Sequence, residues 1–137
     1  MRKTATTTVG AVITTQDNGV EKILLTRRNI QPFKDHWCLP GGHIDADETA
    51  RHAIVREVKE EVGLDFEPNF FAYFDEIIPE QSIHNVVLIF TGPTTGTVIP
   101  QESEVSEIGW FSWPEASALA LAFRHQEILS AYAQQGG

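Results

Sequence analysis

The sequence predicts an α/β (α+β) domain in which a mixed β-sheet lies between helices. Three observations carry that prediction. The first half opens on β-branched runs divided by turn residues, the pattern of paired strands. One amphipathic stretch, near residues 47–63, repeats its apolar positions at helical spacing. Two aromatic and branched runs follow it, and helix signals return only after Trp113-Pro114. Strands, one helix, more strands and terminal helices describe a sheet with helices packed on its faces. The 137 residues suit one domain, 1–137, with a sizeable core.

Residues 4–15, TATTTVGAVITT, read as a first strand, and Val20 to Thr26 as a second. Asp17-Asn18-Gly19 between them is a turn signal, so the two form a hairpin. Arg27 and Arg28 follow at the strand end. They are ordinary charged residues or phosphate contacts, since a guanidinium holds phosphate oxygens bidentately. Pro32 marks a loop. In Leu39-Pro40-Gly41-Gly42 the proline disfavours helix before it, and the paired glycines let backbone approach a ligand. His43-Ile44-Asp45 reads as a short strand.

The helix has Asp47 as its expected N-cap, with acidic residues crowding the first turn, and Gly63 as its left-handed stop. At about 100° per residue, Glu57, Glu60 and Glu61 fall within an arc of roughly 100°. Ile54, Val55, Val58 and Val62 fill a neighbouring apolar arc. Glutamates at these spacings repel one another on an isolated helix. Helix geometry admits two readings of the cluster: a solvated acidic face, or a site for a hard divalent cation that takes carboxylate oxygens.

Beyond Gly63, Asn69 to Ile78 reads as an aromatic-rich strand, Pro79 to Ser82 as a turn, and Ile83 to Thr91 as a buried strand. Gly92-Pro93 breaks it, with a short extension over Thr94 to Ile99. Pro100 to Glu107 is an acidic loop carrying Glu102, Glu104 and Glu107. Ile108 to Ser112 is the last strand. Ser112 caps a helix with Pro114 near its first position, through an Ala/Leu-rich 115–122. A final helix covers about 124–134.

Composition sets the class of partner. Ten basic against 19 acidic residues give a formal net charge of −9, which argues against a sequence-independent grip on nucleic acid. Small phosphorylated substrates remain open, because a bound cation inverts the local sign. A single cysteine, Cys38, excludes an intrachain disulfide and reads as a buried hydrophobe. Threonines follow Arg2 and Lys3 where a signal peptide needs an apolar run, and the longest strongly apolar run, Val86 to Phe90, is too short to span a bilayer. The expectation is a cytoplasmic protein with no membrane partner.

Gly42, Glu48, Arg56-Glu57-Val58, Glu60-Glu61 and Gly63-Leu64 stand at the spacing of the Nudix box, over the 23 residues 42–64. Seven fixed positions match by identity and two by an aliphatic residue. The chain therefore resembles the Nudix hydrolases, directly over about a sixth of its length. The resemblance implies an αβα sandwich and hydrolysis of a nucleoside diphosphate linked to another group. It also implies a required divalent cation, Mg²⁺ and sometimes Mn²⁺. Glu57, Glu60 and Glu61 then look like metal ligands, with the Gly41 carbonyl as a backbone ligand. Arg56 orients Glu57, Glu48 supports the box, and Glu57 is the base in some members. In others the base lies in a loop before the last strand, where Glu104 is the candidate and Glu102 and Glu107 compete.

The substrate is carried by weaker likenesses. Pro32-Phe33-Lys34 and Trp37 to Gly42 resemble the lead-in of ADP-ribose pyrophosphatases, and Leu121 to Leu129 resembles a segment of that group. There an aspartate usually precedes the histidine; this chain has Arg124 before His125. Arg27, Arg28 and Phe33 are the expected substrate contacts, with Phe71, Tyr73 and Phe111 as further stacking candidates. The partner expected is a small nucleoside diphosphate, and a homodimer is the assembly this group allows. The alternatives are a (d)NTP pyrophosphatase, including clearance of oxidised dGTP, and a non-catalytic nucleotide sensor. Contacts to ribose-phosphate on both sides would favour the ADP-ribose reading; a pocket that reads the base edge would favour the triphosphate reading.

Overall fold

The computed structural model describes residues 4–99 and 105–135. The first expected strand is two, β1 (Thr6–Val12) and β2 (Thr14–Asp17), separated at Ile13. They serve different sheets. β2 pairs antiparallel with β3 (Val20–Arg28), closing the hairpin alone. Asn18 and Gly19 both have positive φ, 53° and 81°, as a primed hairpin turn requires. β4 (Trp37–Cys38) also pairs with β3, and β5 (Gly41–His43) pairs with β1, starting two residues before the expected short strand.

The helix α1 spans Ala50–Val62 and ends at Gly63, whose φ of 78° is the left-handed stop the sequence predicts. Its cap is Thr49 rather than Asp47. Thr49 Oγ1 accepts from the His52 N–H at 3.1 Å, and no acidic residue occupies the first turn. Asp47 lies in the preceding turn at φ 64°. The carboxylate of Glu48 is engaged by Arg56 rather than by the helix N-terminus.

β6 (Asp65–Phe66) pairs with β9 (Thr94–Thr95), the paired part of the expected extension. β7 (Asn69–Ile78) and β8 (Ile83–Thr91) match the predicted strands, joined by a 3₁₀ turn over Pro79–Gln81. β8 runs parallel to β1, so the sheet β5-β1-β8-β7 is mixed. β10 (Val105–Ser112) starts three residues before the expected Ile108, because it pairs with β3 as far back as Arg28. The second sheet has the order β10-β3-β2.

α2 is Trp113–Ser117, capped by Ser112, with Glu115 returning a bond to the Ser112 N–H. The Ala/Leu-rich run does not continue it to 122. Instead, Trp37 takes residues 120–122 as a short β-like partner: its N–H donates to the Ala120 carbonyl and its carbonyl accepts from Ala122, at 2.9 and 2.8 Å. α3 (His125–Gln134) then closes the described chain.

The two sheets separate two cores. On one side Val9, Ala11, Ile13 and Leu24 pack with Ala53, Ile54, Val58 and Val62 of α1. On the other, Val12, Ile23, Leu25, Val87 and Ile89 pack with Ala116, Ile128 and Leu129 of α2 and α3. Strands buried on both faces explain why residues 23–25 read as an unbroken apolar run. Val55, expected in the apolar stripe, is only partly buried, and Ala53 takes the core position. Small Ala53 lets α1 lie close to the strands, which brings Glu57 and Glu61 toward β1 and β5 rather than toward solvent. Among the described residues no helix is long and apolar enough to cross a membrane.

Candidate functional site

A cleft of about 1160 Å³ opens where the ends of β1, β3, β5, β7 and β8 meet the start of α3. Two groups of charged and polar side chains line it, one on α1 and one on the sheet.

Arg56 organises the first group. Its Nε and Nη2 donate to the two oxygens of Glu48 at 2.7 and 2.9 Å, a bidentate fork. Glu48 also accepts from the Asp45 N–H at 2.9 Å, and its carboxyl is held down to about 2, chiefly by the Arg56 fork. Arg56 Nη1 reaches Glu57 and Glu60, both at 3.1 Å, and Nη2 donates to the His43 carbonyl at 3.2 Å. One guanidinium thus fixes the loop before α1 against the helix itself.

Glu57 and Glu61 face the cleft; Glu60 does not line it, remains exposed and pairs with Arg56. Glu61 accepts the Gly41 N–H at 3.2 Å. Glu57 and Glu61 are hydrogen-bonded to one another, and burial raises the Glu57 carboxyl above its ordinary range. Gly42 leaves the space that the Glu57 carboxylate fills: a Cβ there would stand 2.5 Å from Oε2. Gly41 is constrained from the other side, since its Cβ would lie 2.1 Å from the Val9 carbonyl oxygen.

Among the described residues, no group of three acidic, histidine or cysteine side chains converges as a ready metal cage. The donor set fits a different kind of site. Mg²⁺ is commonly held by one or two carboxylates, with water and substrate phosphate completing its shell. Glu57 and Glu61 are two carboxylates on one cleft wall, and burial raises the Glu57 carboxyl above its ordinary range.

The second group lies in one row across three strands. Thr6 of β1 pairs in register with Asn85 of β8, which pairs with Glu76 of β7. Thr6 Oγ1 donates to Asn85 Oδ1 at 2.6 Å, and Asn85 Nδ2 donates to Glu76 Oε1 at 3.2 Å. Glu76 Oε2 accepts from the Arg124 N–H at 3.5 Å and faces His125 Nε2 at 3.8 Å. Glu76 is 2% exposed and Asn85 9%. Burial raises the Glu76 carboxyl, against the pull of Asn85 and Arg124. His125 Nδ1 accepts the Leu39 N–H at 3.0 Å, so Nε2 carries the ring hydrogen. Burial first, and then the charge of Arg28, pushes the His125 pKa down to about 3, leaving a neutral ring at physiological pH.

The three expected substrate contacts separate. Arg28 lines the cleft, with Nε donating to the Pro32 carbonyl at 2.8 Å and its guanidinium 4.9 Å from the centre of the Phe123 ring. Arg27, one residue earlier on the strand, turns away and pairs with Glu107 at 3.0 Å. Phe33 packs against Phe123 and His36 and does not line the cleft. Phe123 is the aromatic that does. Phe71 packs on Tyr132, Phe111 on Trp37, and Tyr73 is exposed on β7. Glu102 and Glu104 fall outside the described residues, and Glu107 is held by Arg27. Cys38 is buried beside Thr26, and desolvation lifts its thiol to about 11.

Sequence reading missed Glu76, Asn85 and Phe123. A signal existed for the first two. Phe74, Glu76 and Ile78 share one strand face, as do Asn85, Val87 and Ile89, so each polar residue interrupts an inward-facing apolar series. Phe123 gave no such signal, because it sits at φ 54° in the irregular turn before α3.

The layers and cleft define a three-layer α/β domain with an arginine-braced carboxylate helix on one wall. A family model for the NUDIX domain matches residues 4–132, and the chain belongs to that family. An ADP-ribose pyrophosphatase of Methanocaldococcus jannaschii is 31% identical over 112 residues, covering 81% of this chain and 65% of that protein. An 8-oxo-dGDP phosphatase of Danio rerio, NUDT18, is 31% identical over 134 residues, covering 95% of this chain and 38% of that protein. The chain thus spans less than two thirds of both relatives. The NUDIX domain of Shewanella oneidensis NrtR, complexed with ADP ribose, superposes with a TM-score of 0.88 at 24% identity, covering 99% of this chain and 91% of that one. That likeness supports the shared fold.

Proposed function

We propose that this protein is a divalent-metal-dependent Nudix hydrolase acting on the pyrophosphate link of a nucleoside diphosphate derivative, ADP-ribose or a similar compound. The observation that carries this reading is the Glu57–Glu61 pair, braced by Arg56 and facing the same cleft as Gly41 and Gly42. Glu57, Glu61 and the Gly41 carbonyl would hold Mg²⁺ or Mn²⁺, with Glu60 released from Arg56 as a further ligand. A cation held there would supply charge neutralisation for a pyrophosphate and a lowered pKa for water.

The chain's own residues do the positioning. Arg56 spends its fork on Glu48 and keeps one nitrogen for Glu57, so the Glu57 carboxylate has a fixed origin. Arg28 brings a cationic guanidinium to the cleft beside Phe123. Glu57 or a residue of the loop before β10, Glu104 first, takes the proton from water. Catalysis of this type is mostly positioning and electrostatics.

The relative named as an ADP-ribose pyrophosphatase supports the lead substrate. A second reading, a nucleoside di- or triphosphate pyrophosphatase, is favoured by the Thr6–Asn85–Glu76 row, whose Asn85 and Glu76 are buried polar side chains lining the cleft. One panel tests both: release of nucleoside monophosphate from ADP-ribose, NDP-sugars, dinucleoside polyphosphates and (d)NTPs, including 8-oxo-dGTP, with Mg²⁺ and then Mn²⁺. Preference for ADP-ribose, abolished by chelator and by Glu61→Gln, is the expected result. Preference for a triphosphate keeps the chemistry and replaces the substrate. No hydrolysis of any member by folded protein with either metal overturns the proposal in favour of a sensor.

A further inference from the structure

The carboxylate of Glu76 is buried at the end of the cleft opposite α1, and nothing in the hydrolytic chemistry uses it. A buried acidic side chain is costly unless its oxygens are fully hydrogen-bonded. An ionised carboxylate offers about four lone-pair sites. Glu76 receives two bonds, from Asn85 Nδ2 at 3.2 Å and the Arg124 N–H at 3.5 Å, and a third donor, His125 Nε2, stands off at 3.8 Å. All three neighbours are neutral donors. The Arg124 guanidinium reaches past it to the Ile77 carbonyl at 3.0 Å. The site therefore keeps acceptor capacity toward the cleft that Glu76 lines.

Its neighbours fix which way that capacity points. Thr6 holds Asn85 Oδ1, so the Asn85 amide nitrogen must face Glu76. Leu39 holds His125 Nδ1, so the ring hydrogen also faces Glu76. No donor of this set can rotate into an acceptor without breaking a bond elsewhere. The same stretch of backbone ties the floor to the α1 end: the Leu39 N–H bonds His125 and the Gly41 N–H bonds Glu61. Those two nitrogens lie two residues apart along the chain, either side of Pro40. A nucleotide whose phosphates lie at α1 would reach this floor with its base.

From this arrangement we infer that Glu76, held by Asn85 and His125, accepts the exocyclic amino group of a purine base and so sets base specificity. An acceptor-only floor favours an amino group, which donates, over a keto oxygen at the same place, which would meet it lone pair to lone pair. Adenine offers its 6-amino group and guanine its 2-amino group; hypoxanthine has neither. The inference rests on the nucleotide reading above, and it narrows that reading to amino-bearing purines.

The test is equilibrium binding of AMP, GMP and IMP to metal-free protein by titration calorimetry, with wild type and Glu76→Gln. IMP is the reference for both amino groups. Wild type should bind AMP or GMP about 10-fold or more tightly than IMP, the cost of leaving the buried acceptor facing a keto oxygen at position 6 or an unpaired C–H at position 2. An AMP preference identifies the 6-amino group and a GMP preference the 2-amino group. In Glu76→Gln, whose amide can donate to a keto oxygen, the preference should fall below about threefold while the melting temperature is retained. Should that variant fail to fold, the wild-type comparison still decides. Equal binding of the three nucleotides, no binding of any, or discrimination unchanged in Glu76→Gln overturns the inference. Binding preference without hydrolysis overturns only the enzymatic reading, and hydrolysis without base preference overturns only this one.

Discussion

Adjacent glycines should fail in different ways when given a methyl group. In Gly42→Ala the new Cβ would stand 2.5 Å from Glu57 Oε2 and 2.7 Å from its carboxyl carbon. Ordinary contact begins near 3.4 Å, so the carboxylate must retreat by roughly 0.9 Å. It can, because it ends a flexible side chain, and the fold should survive with a melting temperature within about 2 °C of wild type. Activity should not survive. A misplacement of about 1 Å in a catalytic array costs on the order of 100-fold, and Glu57 would also lose its 3.1 Å bond to Arg56. In Gly41→Ala the clash is 2.1 Å from the Val9 carbonyl oxygen and 2.9 Å from Gly10 Cα, both backbone. Relief there must part β5 from β1, so the fold itself should weaken, by several kcal/mol on the scale of overpacked cores. The assay pairs thermal melting with nucleoside monophosphate release on the preferred substrate. Mn²⁺ affinity gives a readout of Glu57 placement that does not depend on turnover. Gly42→Ala with more than half of wild-type activity and metal affinity would refute the account of the Glu57 pocket. Gly41→Ala with an unchanged melting temperature would refute the strand contact.

Two further outcomes follow from local geometry. The folded Glu48 carboxyl sits near 2, against an ordinary 4.5, so its contribution to stability is complete above pH 4.5 and is lost as pH falls toward 2. The gap in melting temperature between wild type and Glu48→Gln should therefore be wide at pH 7 and shrink as pH falls from 4.5 toward 2; a gap independent of pH contradicts the Arg56 fork as its cause. Ser112→Ala removes the acceptor of a capping box on a helix of five residues. It should cost about 1 kcal/mol and roughly 3–5 °C of melting temperature, with hydrolysis unaffected.

Residues governed by local chemistry were legible in the sequence. Asn18-Gly19 forms its primed turn and Gly63 its left-handed stop because few other residues tolerate those dihedrals. Ser112, three residues before Glu115, spells out its own cap. The order of sheet and helix, and the glutamates of α1, followed from periodicity. Decisions taken by partners were not legible. The strand over 4–15 breaks at Ile13 because two sheets compete for it, and neither sheet is visible in one segment. Asp47 and Thr49 are both good caps; Thr49 prevails once Arg56 has claimed Glu48 and fixed the loop. Arg27 and Arg28 alternate on β3, so one faces the cleft and the other Glu107, and only the register with β10 decides which. Glu60 sits with Glu57 on the helical wheel, yet Arg56 draws it outward.

The cleft divides its labour between two kinds of structure. One end is built on one helix and the loop before it, where Arg56 holds Glu48, Glu57, Glu60 and the His43 carbonyl. Its other end is a row of side chains on three strands, where each answers to its register neighbour. A helix face holds carboxylates at fixed spacing, which suits chemistry common to any pyrophosphate. A strand row can be changed one residue at a time without moving the helix, which suits choosing among bases. Leu39 to Gly41 joins the two by hydrogen bonds at each end, so the sheet end and the α1 end are tied through one short stretch of backbone. Changes at Glu76 or Asn85 should then alter which nucleotide binds, whereas changes at Arg56 should lower turnover for every nucleotide alike. A variant of Arg56 that shifted base preference while sparing turnover would show that the two ends are not separate.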